Sequence, residues 1–86
     1  MPGEEAGALV TVRYWAGARA AAGVDEDVLE NCATVTHAAA AVIGLHPDLA
    51  SILPVSTLLL DGRAVGLAAP LSAGAVLEVL PPFAGG

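Results

Sequence analysis

Two histidines, a run of carboxylates, one thiol and a diglycine terminus are the groups in this sequence able to do chemistry. His37 and His46 stand nine residues apart. On a helix that spacing is about 180° of rotation, so one metal ion would not take both. Each reads as an ordinary surface or cap residue. Asp25, Glu26, Asp27 and Glu30 read as a solvated acidic loop rather than a catalytic carboxylate pair. Cys32 is the single cysteine. It has no partner for an internal disulfide and falls short of a closed cysteine zinc site, so it reads as a small, semi-buried residue. The glycines at 17, 23, 62, 66 and 74 do not form a phosphate-cradling loop. The body of the chain presents no evident active site or metal site.

The carboxyl end differs. Pro81-Pro82-Phe83-Ala84-Gly85-Gly86 follows an apolar, strand-like run, and the last eight residues carry no charged side chain. Proline fixes φ and lacks the N–H, so it forbids continuation of a sheet ladder. Six extended residues reach about 20 Å. Gly85 and Gly86 have no Cβ, so the tip can enter a narrow slot and adopt backbone angles closed to other residues. The one reactive group there is the terminal carboxylate. Such an ending looks like a substrate presented to another protein's active site.

The elements that must position this tail follow from periodicity. Residues 1–7 read as a flexible leader, 8–80 as one domain and 81–86 as an extended tail. Ala8 to Ala16 is rich in β-formers, and period two places Val10, Val12 and Tyr14 on one face. Thr11, Arg13 and Trp15 fall on the other. Ala18 to Ala22 forms a helical turn that Gly23 ends, and Val24 to Cys32 runs from a solvated loop into a hairpin partner of the first strand. Thr34 caps a helix reaching Leu45, with Val35, Ala38, Ala39, Val42 and Leu45 on the buried stripe. Pro47 stops it, and Asp48 caps a short turn ending near Leu53-Pro54. Asp61-Gly62 between apolar strands predicts a two-residue type I′ hairpin turn. Pro70 to Gly74 turns the chain into a last strand, Val76 to Leu80. The expected core is Val10, Val12, Tyr14, Val35, Val42, Leu58, Leu60, Leu77 and Val79.

Composition narrows the partners. The chain has 86 residues, nine acids, three arginines and no lysine, for a net charge of −6. Phosphate backbones are bound through Lys and Arg, so a nucleic-acid partner is excluded. The same balance argues against an anionic membrane surface and favours a basic protein partner. The acidic amino terminus lacks the basic and apolar regions of a signal peptide. The longest charge-free run, Asn31 to Pro47, is broken by Asn31, Thr34, Thr36, His37 and His46 and falls short of the roughly 20 apolar residues of a membrane span. A reducing, cytoplasmic setting is expected.

Three stretches carry a family likeness: Val12-Arg13-Tyr14-Trp15-Ala16-Gly17-Ala18-Arg19 with Gly23; Pro70-Leu71 with Gly74; and Val79-Leu80-Pro81-Pro82-Phe83-Ala84-Gly85-Gly86. With them the chain resembles the molybdopterin synthase small subunits of the ubiquitin-like sulfur-carrier superfamily. The likeness covers residues 9 to 86. Asp61 stands where that family often has Asn, and Ala75 replaces its usual acid. The resemblance implies an α+β, β-grasp fold: a mixed sheet packed on one main helix.

It also implies a function. An E1-like adenylating enzyme would use ATP to activate the Gly86 carboxylate, and a sulfur donor would convert it to a thiocarboxylate. The large, catalytic subunit of molybdopterin synthase would then pass that sulfur to cyclic pyranopterin monophosphate. The chain itself would bind no cofactor and would act as the sulfur-donating subunit of a sulfurtransferase complex. Pro81, Pro82, Phe83, Ala84 and Gly85 would thread into partner active sites. Other readings stay open: a β-grasp carrier serving thiazole, cysteine or specialised thio-metabolite synthesis, a ubiquitin-like protein modifier, or an interaction module with an accidental tail. In a β-grasp sheet the first and last strands adjoin, which predicts an exposed docking patch of Trp15, Leu80 and Phe83, with Arg13 and Arg19 at its rim.

Overall fold

Val, Thr and Tyr build the first strand, β1 (Leu9–Tyr14), in a computed structural model that describes residues 8–82. The expected leader and the tail from Phe83 onward lie outside the described residues. As period two requires, Val10, Val12 and Tyr14 are each at most 2% exposed. The chain then enters α1 (Ala16–Ala22), two residues earlier than its sequence suggests, and Gly23 ends it in the left-handed region at φ 77°. Strand β2 (Glu26–Glu30) returns antiparallel to β1.

Helix α2 (Val35–Leu45) starts where the Thr34 side chain accepts from the His37 N–H. Val35, Ala38 and Val42 are buried against the sheet. Leu45 is not: it is 56% exposed. At 3.6 residues per turn Leu45 falls about 80° from Val35, whereas His46 falls about 20° from it. The inward place at the helix end therefore goes to His46. Two 3₁₀ turns follow, Pro47–Ala50 and Leu53–Val55. Asp48 lies inside the first turn and makes no side-chain cap, because Pro47 has already opened that turn. Leu49 fills the core at 0% exposure instead of Leu45.

Strands β3 (Thr57–Leu60) and β4 (Arg63–Val65) form the expected hairpin. Asp61 (φ 49°) and Gly62 (φ 89°) supply its two left-handed positions. The Asp61 carboxylate also accepts from the Val76 N–H at 2.9 Å, which ties the turn to the start of β5 (Val76–Leu80). The sheet order is β2-β1-β5-β3-β4, with β5 parallel to β1 and antiparallel to β3. Leu58, Leu77 and Val79 point into the core, while Leu60 packs half-buried at its margin. The arrangement is the expected β-grasp. Among the described residues no helix is long and apolar enough to cross a membrane.

Candidate partner-docking site at the end of the central strands

Parallel pairing of β1 and β5 brings the exits of both strands to one end of the sheet. The register Tyr14↔Val79 sets Trp15 beside Leu80, and the Trp15 N–H donates to the Val79 carbonyl at 3.2 Å. Trp15 is 39% exposed. Its indole N–H donates to Glu78 Oε2 at 3.2 Å, and the Arg13 guanidinium carbon lies 5.2 Å from its ring centroid. Arg13 in turn pairs with Glu26 at 3.7 Å. These contacts run across the outer face of the sheet from β2 to β5. Exposed charge pairs of this kind contribute little stability, but here they hold the Trp15 indole in one orientation beside the end of β5.

Ala16 follows Trp15 at φ 48°, a left-handed backbone that an alanine rarely adopts. That strained residue turns the chain off the sheet into α1 within one step and leaves the indole on the surface. Leu80 and Pro81 are half-buried and Pro82 is exposed. Pro81 has no N–H, so the ladder ends at Leu80. Of the expected patch, Trp15 and Leu80 come together; Phe83, Ala84, Gly85 and Gly86 lie outside the described residues. Arg13 borders the patch, whereas Arg19 sits on α1 and pairs with Asp25 at 3.6 Å. A shallow depression at the end of α1 is lined by Ala16, Arg19, Ala20, Gly23, Val24 and Asp25, so both partners of that ion pair border it.

A second polar cluster lies on the inner face. Asp27 Oδ2 accepts from the Tyr14 hydroxyl at 2.7 Å and meets His46 Nε2 at 2.7 Å. The Tyr14 and His46 rings stand edge to face, with centroids 6.0 Å apart. Burial, and then the bond and charge of Asp27, push the Tyr14 hydroxyl well above its usual value of 10.0. This corrects two readings of the sequence. Asp27 does not belong to a solvated loop: period two from buried Leu29 puts it on the inner face of β2. His46 is the C-cap residue of α2, but its side chain is drawn inward to the carboxylate. The cluster clamps β1, β2 and the end of α2 together on the inner face, and these mutual contacts mark it as structural. Two sequence signals pointed to it, the inward parity of Asp27 and the angular position of His46. The remaining acids, Asp25, Glu26 and Glu30, are exposed, and Cys32 is half-buried with its thiol 3.8 Å from the Glu30 carbonyl.

Comparison with known proteins completes the description. The model of the ThiS family matches residues 12–86. The chain belongs to the ThiS family. The match runs from the second half of β1 through the other four strands to the diglycine end. No curated protein sequence matches the chain. Among solved structures, ThiS-type architecture recurs in the putative molybdopterin converting factor subunit 1 of Pyrococcus furiosus. It is 27% identical with a TM-score of 0.79, covering 87% of this chain and 98% of that one. The small archaeal modifier protein 1 of H. volcanii is 28% identical at a TM-score of 0.80, covering 90% of this chain and all (100%) of that one. The complex of subunits 1 and 2 of molybdopterin-converting factor from Helicobacter pylori shares the fold at 23% identity and a TM-score of 0.68, over 91% of this chain and 99% of that one.

Proposed function

We propose that this ThiS-family chain is a sulfur carrier of the molybdopterin branch, working through its Gly86 carboxylate. The observation that carries the reading is the neutral Pro-Pro-Phe-Ala-Gly-Gly sequence directly after β5, whose half-buried last residue, Leu80, adjoins the exposed Trp15. Similarity to a molybdopterin converting factor subunit 1 supports the branch. A carboxylate is a poor electrophile, since resonance and negative charge both oppose attack. A partner of the adenylating class would therefore first join Gly86 to AMP, releasing pyrophosphate from ATP. The terminal sulfur of a persulfide donor would expel AMP and form an acyl disulfide. A second thiol would cleave that, itself ending in a disulfide, to leave the Gly86 thiocarboxylate.

The large synthase subunit would supply the pterin pocket and the acid–base groups, and this chain the nucleophilic sulfur. Docking through the outer face near Trp15 would aim the tail. The chain works in the cytoplasm on this reading. Intact-protein mass spectrometry on material from native cells tests it: a fraction heavier by the difference between sulfur and oxygen is expected. With a purified adenylating enzyme, deletion of Gly86 or Gly85→Val should abolish adenylate formation while the fold remains. Full adenylate formation by the Gly86-deleted chain overturns the proposal.

A second reading, a protein modifier, is favoured by the likeness to small archaeal modifier protein 1. It shares the activation step and differs in the acceptor. Isopeptide bonds from Gly86 to lysines of other proteins would be its signature. The chain has no lysine, so it would not build polymers on itself.

A further inference from the structure

The sheet ends on one side at β2, and the hydrogen-bond parity of that edge is fixed by two flanking bonds. The Tyr14 N–H donates to the Asp25 carbonyl at 2.9 Å, and the Asn31 N–H donates to the Ala8 carbonyl at 3.2 Å. Hydrogen-bonded pairs alternate in an antiparallel ladder. Given the register, Asp27 and Leu29 therefore bond to β1, while the N–H and C=O groups of Glu26, Val28 and Glu30 point outward. Among the described residues no backbone group pairs with those three. The one contact to this row is the Cys32 thiol, 3.8 Å from the Glu30 carbonyl and a weak donor that an amide would displace.

The side chains on this row read acid, apolar, acid. Glu26 and Glu30 are exposed, and Val28 is 57% exposed between them. The opposite edge offers less: β4 has three residues, and its pairing with β3 leaves only Ala64 turned outward.

We propose that β2 is a strand-addition site for an extended peptide with a basic, an apolar and a second basic side chain at alternate residues. Main-chain bonds to Glu26, Val28 and Glu30 supply the pairing, and the alternate side chains supply the selection. The apolar residue of the peptide packs beside Val28, and its cations meet Glu26 and Glu30, since opposite charges stabilise directly facing cross-strand positions. The same charges exclude a second copy of this chain. An antiparallel β2–β2 pair centred on Val28 would set Glu26 against Glu30 twice, and charged edges of this kind resist self-pairing. The net charge of −6 adds long-range attraction for a basic partner. Glu26 also pairs with Arg13 at 3.7 Å across the outer face, an exposed pair that a peptide cation shares or displaces; the site needs no sulfur chemistry.

The test uses the full chain and two capped peptides, Thr-Lys-Thr-Val-Thr-Lys-Thr and its Glu-for-Lys counterpart. Amide exchange followed by NMR reads the result. The lysine peptide should slow exchange at Glu26, Val28 and Glu30 at least fivefold and leave Ala64 unchanged; the glutamate peptide should not. Glu30→Lys alone should weaken binding of the lysine peptide about tenfold, and Glu26→Lys/Glu30→Lys should transfer preference to the glutamate peptide. Methylating the peptide's backbone nitrogens on the pairing side should abolish protection. Absence of binding overturns the proposal. So does binding without protection of the three amides, or binding indifferent to the charge reversals.

Discussion

The Tyr14 hydroxyl, on the buried face of β1, donates to Asp27 of β2 over 2.7 Å, and the same carboxylate oxygen meets His46. Asp27 is thus the acceptor on which two other side chains depend. Asp27→Ala should leave the Tyr14 hydroxyl buried without a partner and cost about 1–3 kcal/mol of stability. Tyr14→Phe removes the donor but leaves the carboxylate with His46, and should cost only about 1 kcal/mol. Urea denaturation monitored through Trp15 measures both. Equal losses in the two variants would show that the carboxylate is not shared.

Tyr14 also predicts an alkaline limit. Its folded-state pKa is raised above the ordinary value of 10.0, by burial first and then by Asp27. Below the unfolded value the hydroxyl is protonated in both states, and its contribution is fully present. As pH rises past about 10 the unfolded chain loses the proton while the folded chain keeps it, so stability falls. Tyr14 is the only tyrosine. Phenolate absorbance should therefore appear together with unfolding rather than before it, and Tyr14→Phe should lessen the alkaline loss.

Leu77 lies in the middle of β5 at 2% exposure, between β1 and β3. Leu77→Ala opens a cavity that neighbours on both sides hold open, and should cost roughly 2–5 kcal/mol. Against a typical total of about 5–15 kcal/mol this is a large share for so small a domain. Thermal denaturation measures it, and a loss below about 0.5 kcal/mol would reverse the assigned strand parity.

Trp15 is predicted to anchor the partner that receives the tail. Aromatic residues with large contact area often dominate interface energy, and Trp15→Ala should weaken binding to a synthase large subunit by about 2 kcal/mol or more. Glu78→Gln, which keeps an acceptor for the indole, should weaken it far less. Calorimetric titration of the purified subunits decides this, provided circular dichroism shows the variant folded. Unchanged affinity would place the interface elsewhere.

Local chemistry made much of this molecule readable in one dimension. Alternation in β1 named its buried face, Thr34 and Gly23 marked helix ends, and Asp61-Gly62 marked the hairpin turn, because each depends on a residue and its near neighbours. The proposed role of the diglycine ending is likewise read from its missing side chains alone. Only the tertiary structure set Asp27 against Tyr14 and His46, partners 13 and 19 residues away. It also turned Leu45 outward and brought Leu49 into the core, and it exposed the backbone of β2 as an edge. Those outcomes depend on where α2 ends over the sheet and on which strand pairs with which. Burial and hydrogen-bond pairing between distant segments settle such questions, and no short stretch of sequence contains both partners.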